Sequence, residues 1–389
     1  MSDYRLEERE EKKPKYCKLS WKELREKYNI PKYDNLTKGW FSLRKPLSYG
    51  RHFIAITGKR STGKSTGTSL YILMNYLETG KGWIYTRRTK DEMDVTAPTW
   101  FDNAVEILNS YITDKADKIK VEYQGGTYYV NGVEAGIAIP LSLQQKYKST
   151  NLSFADFIIY DEFIAFEGTG YLGGATNPLK EFRAILSLFQ STDRTVGKAF
   201  RNEVVIIALG NNDSLFNPLY MGLGVDKFIR TDTHFLAPKG EEWVVMQMKS
   251  EDAEEAEAYK DSVGYKLSDE RTRDYAYENL SKEETAKTTF VQKITTPLKQ
   301  LCNLHFDGYD MIMSVNYREG FVYISRGHVE GMPDYALTVA DHRPNYTLTL
   351  HGGNQGYLGL LRQMYDTGAI RFENLKCKFC IDNFFKFVV

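Results

Sequence analysis

The 389-residue chain lacks the features of several large protein classes. No run of about 18 consecutive apolar residues occurs, so no membrane-spanning helix is expected. The first residues, MSDYRLEEREEKKPKYCK, have no apolar stretch of the kind a secretory signal carries. Four cysteines are too few for a disulfide framework, and a reducing cytosol is the expected compartment. An excess of charge of one sign is also missing. The 51 Lys plus Arg are balanced by 51 Asp plus Glu. A uniformly basic nucleic-acid coat is thereby excluded, and any polyanion site must arise from local clustering. His305, His328, His342 and His351 show no H-E-x-x-H or similar spacing. No internal repeat or low-complexity tract is present. With 42% hydrophobic and 26% charged residues the chain has ordinary globular proportions.

What is present is unevenly distributed. Residues 44–90 carry Arg44, Lys45, Arg51, Lys59, Arg60, Lys64, Lys81, Arg87, Arg88 and Lys90 against the single acid Glu78. Between 50 and 212, apolar strands alternate with helical patterns: strands at 53–57, 83–86, 136–141, 157–160 and 204–209, helices at 66–78, 97–111 and 178–189, and a hairpin about Gly125-Gly126. Such alternation predicts an α/β fold with a mostly parallel sheet. Its central strands read as almost wholly apolar, as strands covered on both faces do. The expected domains are an N-terminal extension at 1–45, a P-loop domain at 46–221, a helical linker at 222–287 and a smaller domain of strands and turns at 288–389, with a helix near 354–366. Residues 1–27 mix both charge signs and read as a solvated tail.

The chemistry is concentrated in the P-loop domain. Gly58-Lys59-Arg60-Ser61-Thr62-Gly63-Lys64-Ser65 fits G-x-x-x-x-G-K-[ST], after an apolar strand and before the helix that Thr66 opens. Backbone N–H groups of such a loop cradle phosphates at a helix N-terminus. Lys64 would neutralise the β/γ-phosphates of ATP, and Ser65 would ligate Mg²⁺. Phe157-Ile158-Ile159-Tyr160-Asp161-Glu162 is a Walker B pattern: Asp161 is placed to hold the Mg²⁺ shell and Glu162 to act as general base on water. Asn211, with Asn212 as its alternative, follows the next apolar strand and is a candidate γ-phosphate sensor. Arg194 is a candidate arginine finger, with Arg201 as its competitor. Arg87, Arg88 and Lys90 could grip a DNA backbone or form a solvated rim.

The C-terminal region is less informative. Cys377 and Cys380 form a C-x-x-C without two further ligands at zinc-site spacing and read as incidental. Asp307, Asp310, Asp334 and Asp341 are scattered through turns. A two-metal nuclease needs converging carboxylates, so no nuclease activity is expected.

At this point the chain resembles a known family, the DNA-packaging (encapsidation) ATPases of small short-tailed bacteriophages of the phi29-like type, which are terminase-like motors. The matching stretches are the 58–65 loop with Arg60 at its third position, Tyr85-Thr86-Arg87-Arg88-Thr89-Lys90, Ala138-Ile139-Pro140-Leu141-Ser142, Lys148-Ser149-Thr150-Asn151, Tyr160-Asp161-Glu162-Phe163-Ile164 and Leu209-Gly210-Asn211. They occur in family order over most of 50–215, with a fainter match over 288–389. The resemblance implies an ASCE/RecA-like P-loop ATPase forming a homomeric, pentameric ring. That ring pumps double-stranded DNA into a procapsid through the portal, in the host cytoplasm. It also implies an arginine finger at Arg194, a trans-acting Lys148, and Arg87 and Lys90 near the DNA channel. The C-terminal domain would be RNase H-like without nuclease carboxylates, docking on the portal and a packaging RNA. The extension at 1–45 and the connector at 249–287 are longer than the family pattern. Two other readings compete: a RecA-like helicase or recombination ATPase, and a nucleotide-bound structural protein of the capsid vertex without turnover.

Overall fold

The computed structural model describes residues 16–38, 40–59, 62–148, 150–165, 170–173, 177, 179–194, 200–211, 217–225, 235–248, 263–268, 294, 296–348 and 356–386. In chain order the first half comprises helices α1 (Trp21–Tyr28), α2 (Tyr33–Leu36) and α3 (Arg44–Leu47), strand β1 (Phe53–Gly58), α4 (Lys64–Thr79), β2 (Gly82–Thr86), α5 (Lys90–Thr96), α6 (Asp102–Tyr111), β3 (Val121–Gln124), β4 (Thr127–Val130) and β5 (Val133–Ala138). Then follow β6 (Ala155–Asp161), α7 (Lys180–Thr192), β7 (Val205–Gly210), α8 (Pro218–Leu223), β8 (Phe235–Leu236), β9 (Trp243–Met248) and α9 (Val263–Leu267).

The first sheet has the order β3-β4-β5-β2-β6-β7-β1-β9-β8. Its centre, from β5 to β9, is parallel, and antiparallel pairs close both edges. Every residue of β1 and β2 is buried. That explains their unbroken apolar runs, because helices cover both faces. Leu70 and Leu73 of α4 and Leu108 of α6 pack on one face, and Ile185 and Leu188 of α7 with Leu219 of α8 on the other. The expected α/β, mostly parallel P-loop sheet is therefore what forms.

Several expected boundaries move. The P-loop domain does not end at 221: β9 pairs in parallel with β1 from Phe53↔Trp243 to Gly58↔Met248, so the start of the expected linker is sheet. Trp243, Val244 and Val245 are buried, and their apolar run is that of an inner strand. Within the connector expected at 249–287, 263–268 are described and hold α9; the rest lies outside the described residues. The N-terminal segment from Tyr16 is not a solvated tail. α1 begins at a capping box, with Ser20 and Glu23 bonding each other's backbone N–H. Trp21, Leu24, Tyr33, Phe41 and Leu43 enter the core beside α4. A capping box, Thr89 with Glu92, also starts α5, a helix that the sequence reading did not place between the strand at 83–86 and the helix at 97–111.

The second sheet contains β10 (Lys299–Phe306), β11 (Tyr309–Asn316), β12 (Phe321–Arg326), β13 (Asp334–Ala336), β14 (Thr347–Leu348) and β15 (Ile370–Phe372), in the order β14-β13-β10-β11-β12-β15. Helices α10 (Gly356–Asp366) and α11 (Leu375–Lys386) cover it. Strands β10 to β12 are antiparallel, and β13 and β14 add in parallel beside β10. This is an RNase H-like order, with β15 added on the far edge. Cys377 and Cys380 are both buried in this core.

The N-terminal segment is locked onto α4 at Gly67. Tyr33 donates its hydroxyl to the Gly67 carbonyl at 2.9 Å and accepts from the Leu43 N–H at 2.8 Å. A Cβ at Gly67 would lie 2.2 Å from the Phe41 carbonyl oxygen. Gly67→Ala is therefore expected to destabilise the protein by about 1–3 kcal/mol, the cost of overpacking. Urea unfolding checks this; a loss below the usual scatter of surface changes, about 0.5 kcal/mol, would show that residues 33–43 do not pack as described.

Candidate nucleotide site

The loop after β1 turns into α4 through Gly63, whose φ of 76° serves as the helix N-cap. Positive φ is cheap only for glycine, and Gly63 also faces Trp40, whose Cβ would be 3.2 Å from an added methyl. The N-terminal segment thus backs the phosphate loop directly. Lys64 is buried, with its ammonium folded over the loop. Its Nζ donates to the carbonyls of Gly58 (2.9 Å) and Lys59 (2.7 Å) and to the Thr62 hydroxyl (3.3 Å), and lies 3.5 Å from Asn211 Oδ1. Asn211 directly follows β7, which lies between β6 and β1, so it stands between the two motif strands. Arg60 and Ser61 lie outside the described residues, as does Asn212.

The Walker B acids sit at the end of β6. Asp161 is buried and Glu162 is half exposed. Glu162 has φ 56°, the left-handed region that non-glycine residues enter at a cost of roughly 1–3 kcal/mol and often at functional sites. One cavity of about 300 Å³ is lined by Thr62, Gly63, Lys64, Ser65, Thr66, Arg87, Asp161, Glu162, Leu209, Gly210 and Asn211. The two motifs and the candidate sensor therefore converge. The donor set fits Mg²⁺: Ser65 offers a hydroxyl and Asp161 a carboxylate, the hard oxygen ligands that ion takes.

Arg87 joins the two acids. Its Nη2 donates to Asp161 Oδ2 at 3.0 Å and its Nη1 to Glu162 Oε2 at 2.7 Å. The Tyr85 hydroxyl also donates to Asp161 Oδ2, at 3.0 Å, which leaves Oδ1 for another partner. Burial raises the Asp161 carboxyl above its ordinary range, while the Arg87 charge and the Tyr85 hydrogen bond pull it back. Arg88 points to the opposite face of the sheet. It forks onto Glu181 of α7 (Nε to Oε2 3.0 Å), donates to the Glu162 and Phe163 carbonyls, and lies over the Tyr171 ring. Glu181 is fully buried and also accepts from the Tyr160 hydroxyl and the Leu172 N–H.

The structure does not bring Arg87 and Arg88 to a DNA-gripping surface. Only 8% and 4% of their surfaces are exposed, and their donors are committed to the Walker B segment and α7. Of the expected DNA-binding trio, only Lys90 is exposed. Alternation decides this, because Arg87 and Arg88 extend a strand buried on both faces and two buried carboxylates await them. Sequence reasoning missed Tyr85, Tyr160 and Glu181. Glu181 stands in the first turn of α7, where an acid is ordinary, so no local signal set it apart.

Lys148 and Arg194 are exposed, and neither lines the nucleotide cavity. Lys148 borders a separate groove between the 3-10 turn Leu141–Tyr147 and α7, beside Lys180 and Arg183. Arg194 follows the end of α7 and bridges to Phe200. Arg201 is not available as a finger, since it is bound to Asp156 (2.9 Å) and to the Ala155 and Thr192 carbonyls.

Removing one partner of a buried ion pair costs about 3–5 kcal/mol. Arg87→Ala is therefore expected to lower stability by roughly 3 kcal/mol at neutral pH. A carboxyl raised by folding costs nothing below its unfolded value, and the cost grows as pH rises through the folded value. Arg87 limits that cost, so the loss should shrink below about pH 4, where Asp161 is protonated. Denaturant unfolding of both proteins at the two pH values checks this; an equal loss at both would contradict the pairing.

The sequence matches the family described as Podovirus DNA encapsidation protein (Gp16) over residues 37–389. It is 25% identical over 339 residues to the DNA packaging protein of Bacillus phage phi29, covering 86% of this chain and 93% of that one. Among solved structures, a chain of the bacteriophage phi-29 viral genome packaging motor assembly superposes with a TM-score of 0.68 at 22% identity, covering 90% of this chain and 100% of that one. A chain of the phi-28 gp11 DNA packaging motor gives 0.61 at 16% identity, with 90% and 98% covered.

Proposed function

The chain belongs to the podovirus DNA encapsidation (Gp16) family, and from that membership and the convergent nucleotide site we propose that it is the ATP-hydrolysing subunit of a viral DNA-packaging motor. The observation that carries the reading is the single cavity holding Lys64, Ser65, Asp161, Glu162 and Asn211. ATP places its phosphates on the loop N–H groups, and Lys64 exchanges loop carbonyls for phosphate oxygens. Ser65 and Asp161 would hold Mg²⁺, which when bound neutralises phosphate charge. Glu162 leaves Arg87 to accept the proton of the water that attacks the γ-phosphoryl group. Asn211, beside Lys64, senses whether that group is present.

Arg194 and Lys148 lie on the surface away from their own cavity. In a homomeric ring of five they serve the neighbouring subunit's nucleotide, Arg194 as the finger that stabilises transition-state charge. Lys90 and other exposed basic side chains hold double-stranded DNA by its phosphates. Charge-based grip ignores sequence, as a packaging motor requires. The C-terminal domain docks on the portal of the procapsid, with a packaging RNA as a further partner. The work takes place in the host cytoplasm, at the portal vertex.

Phosphate release from ATP, with and without duplex DNA, tests this reading. Glu162→Gln is expected to cut turnover by about 10²–10⁴-fold while nucleotide binding persists. Arg194→Ala alone is expected to be inactive, and mixing it with Glu162→Gln should restore turnover, because the Arg194→Ala active site then borrows a finger. Full activity of Arg194→Ala, or a mixture as dead as its parts, would reject the finger in trans.

A further inference from the structure

The C-terminal sheet gathers a side-chain cluster that the packaging chemistry does not use. His305 on β10 is buried, with Nδ1 2.7 Å from Asp310 Oδ1 and Nε2 2.9 Å from Asp334 Oδ1. Asp310 is its cross-strand partner on β11, and Asp334 lies on the parallel neighbour β13. His328, in the loop after β12, brings its Nε2 within 3.1 Å of the same Asp334 oxygen. The three ligand atoms of His305, His328 and Asp334 lie within 4.8 Å of one another. Sequence spacing concealed the group, because its members come from two strands and a loop.

The geometry around these atoms is that of a built site. A neutral imidazole carries one N–H. With that N–H on Nδ1, held by Asp310, His305 Nε2 presents a lone pair toward Asp334, and a carboxylate behind a histidine is the usual support of a metal-bound imidazole. Asn303 fixes the other two members. Its amide donates to Asp334 Oδ1 at 2.9 Å and exchanges hydrogen bonds with the Val329 backbone, which anchors the His328 loop. Tyr346 stacks on the His305 ring at 4.4 Å, limiting its rotation. Ligands about 2.0–2.1 Å from a tetrahedral ion lie about 3.4 Å apart. Contacts of 2.9 and 3.1 Å therefore need to open by only a few tenths of an ångström.

We propose that His305, His328 and Asp334 form a binding site for a single divalent transition-metal ion of the zinc type, with Asp310 orienting His305 behind it. Two imidazoles and one carboxylate favour Zn²⁺ over Mg²⁺, which prefers oxygen alone. Three protein ligands leave a fourth position, on the side where His328 is exposed. The site is not a two-metal nuclease centre, which needs several converging carboxylates.

The test uses the full-length protein stripped with chelator and titrated with Zn²⁺ or, as a spectroscopic probe, Co²⁺, in excess Mg²⁺. The wild type is expected to bind one ion per chain, to show tetrahedral Co²⁺ absorption and to melt at a higher temperature with Zn²⁺. His328→Ala changes an exposed loop residue, so it should fold normally and lose the Co²⁺ spectrum and the thermal shift. Asp310→Asn should weaken Zn²⁺ binding by about 10–100-fold, the usual cost of losing a residue behind a ligand. His342→Ala should behave as wild type. Wild type without bound metal at micromolar Zn²⁺, or His328→Ala with unchanged binding, would overturn the assignment.

Discussion

A carboxylate buried at the end of an inner strand can remain charged only beside a matching cation, and Asp161 has Arg87. The nucleotide site depends on this pair. Arg87 comes from the strand next to the Walker B strand and reaches across to Asp161 and Glu162 together. Arg88, one residue on, ties the Glu162 and Phe163 backbone to Glu181 on the opposite face. Two consecutive arginines thus link the end of β2 to the Walker B segment and to α7. Since α7 leads to Arg194, the proposed finger and the proposed base are mounted on one connected frame.

The concentration of positive charge at 44–90 is consequently not one surface. Lys64 serves the phosphate loop. Arg87 and Arg88 neutralise buried acids. Lys81 and Lys90 are exposed, each beside an acid. Charge clustering in a sequence shows that polyanions can be attracted, but strand alternation and burial decide which side chains are available to them. Surface pairs such as Lys90 with Asp94 bind weakly and leave the lysine free to exchange partners.

Much of the candidate nucleotide site was legible in the sequence because its motifs are local. The 58–65 loop and the Asp161-Glu162 pair are contiguous, and their strand contexts follow from apolar runs. Asn211 was legible because strand ends line such sites. Four things were not. β9 enters the sheet after a long excursion, and its pairing with β1 leaves no local mark. The N-terminal segment is rich in charge, and a few apolar residues, among them Trp21, Leu24 and Phe41, carry its docking. The directions of Arg87 and Arg88 depend on acids far along the chain. The histidine cluster exists only once β10 and β13 lie side by side.

The salt dependence of duplex DNA binding by Arg87→Gln, measured without nucleotide, tests most directly whether Arg87 belongs to the candidate nucleotide site and not to the proposed DNA surface. Each phosphate contact contributes about −0.9 to the slope of log affinity against log salt. The internal pairing predicts the wild-type slope. A slope shallower by about 0.9 would place Arg87 on a DNA phosphate and contradict it.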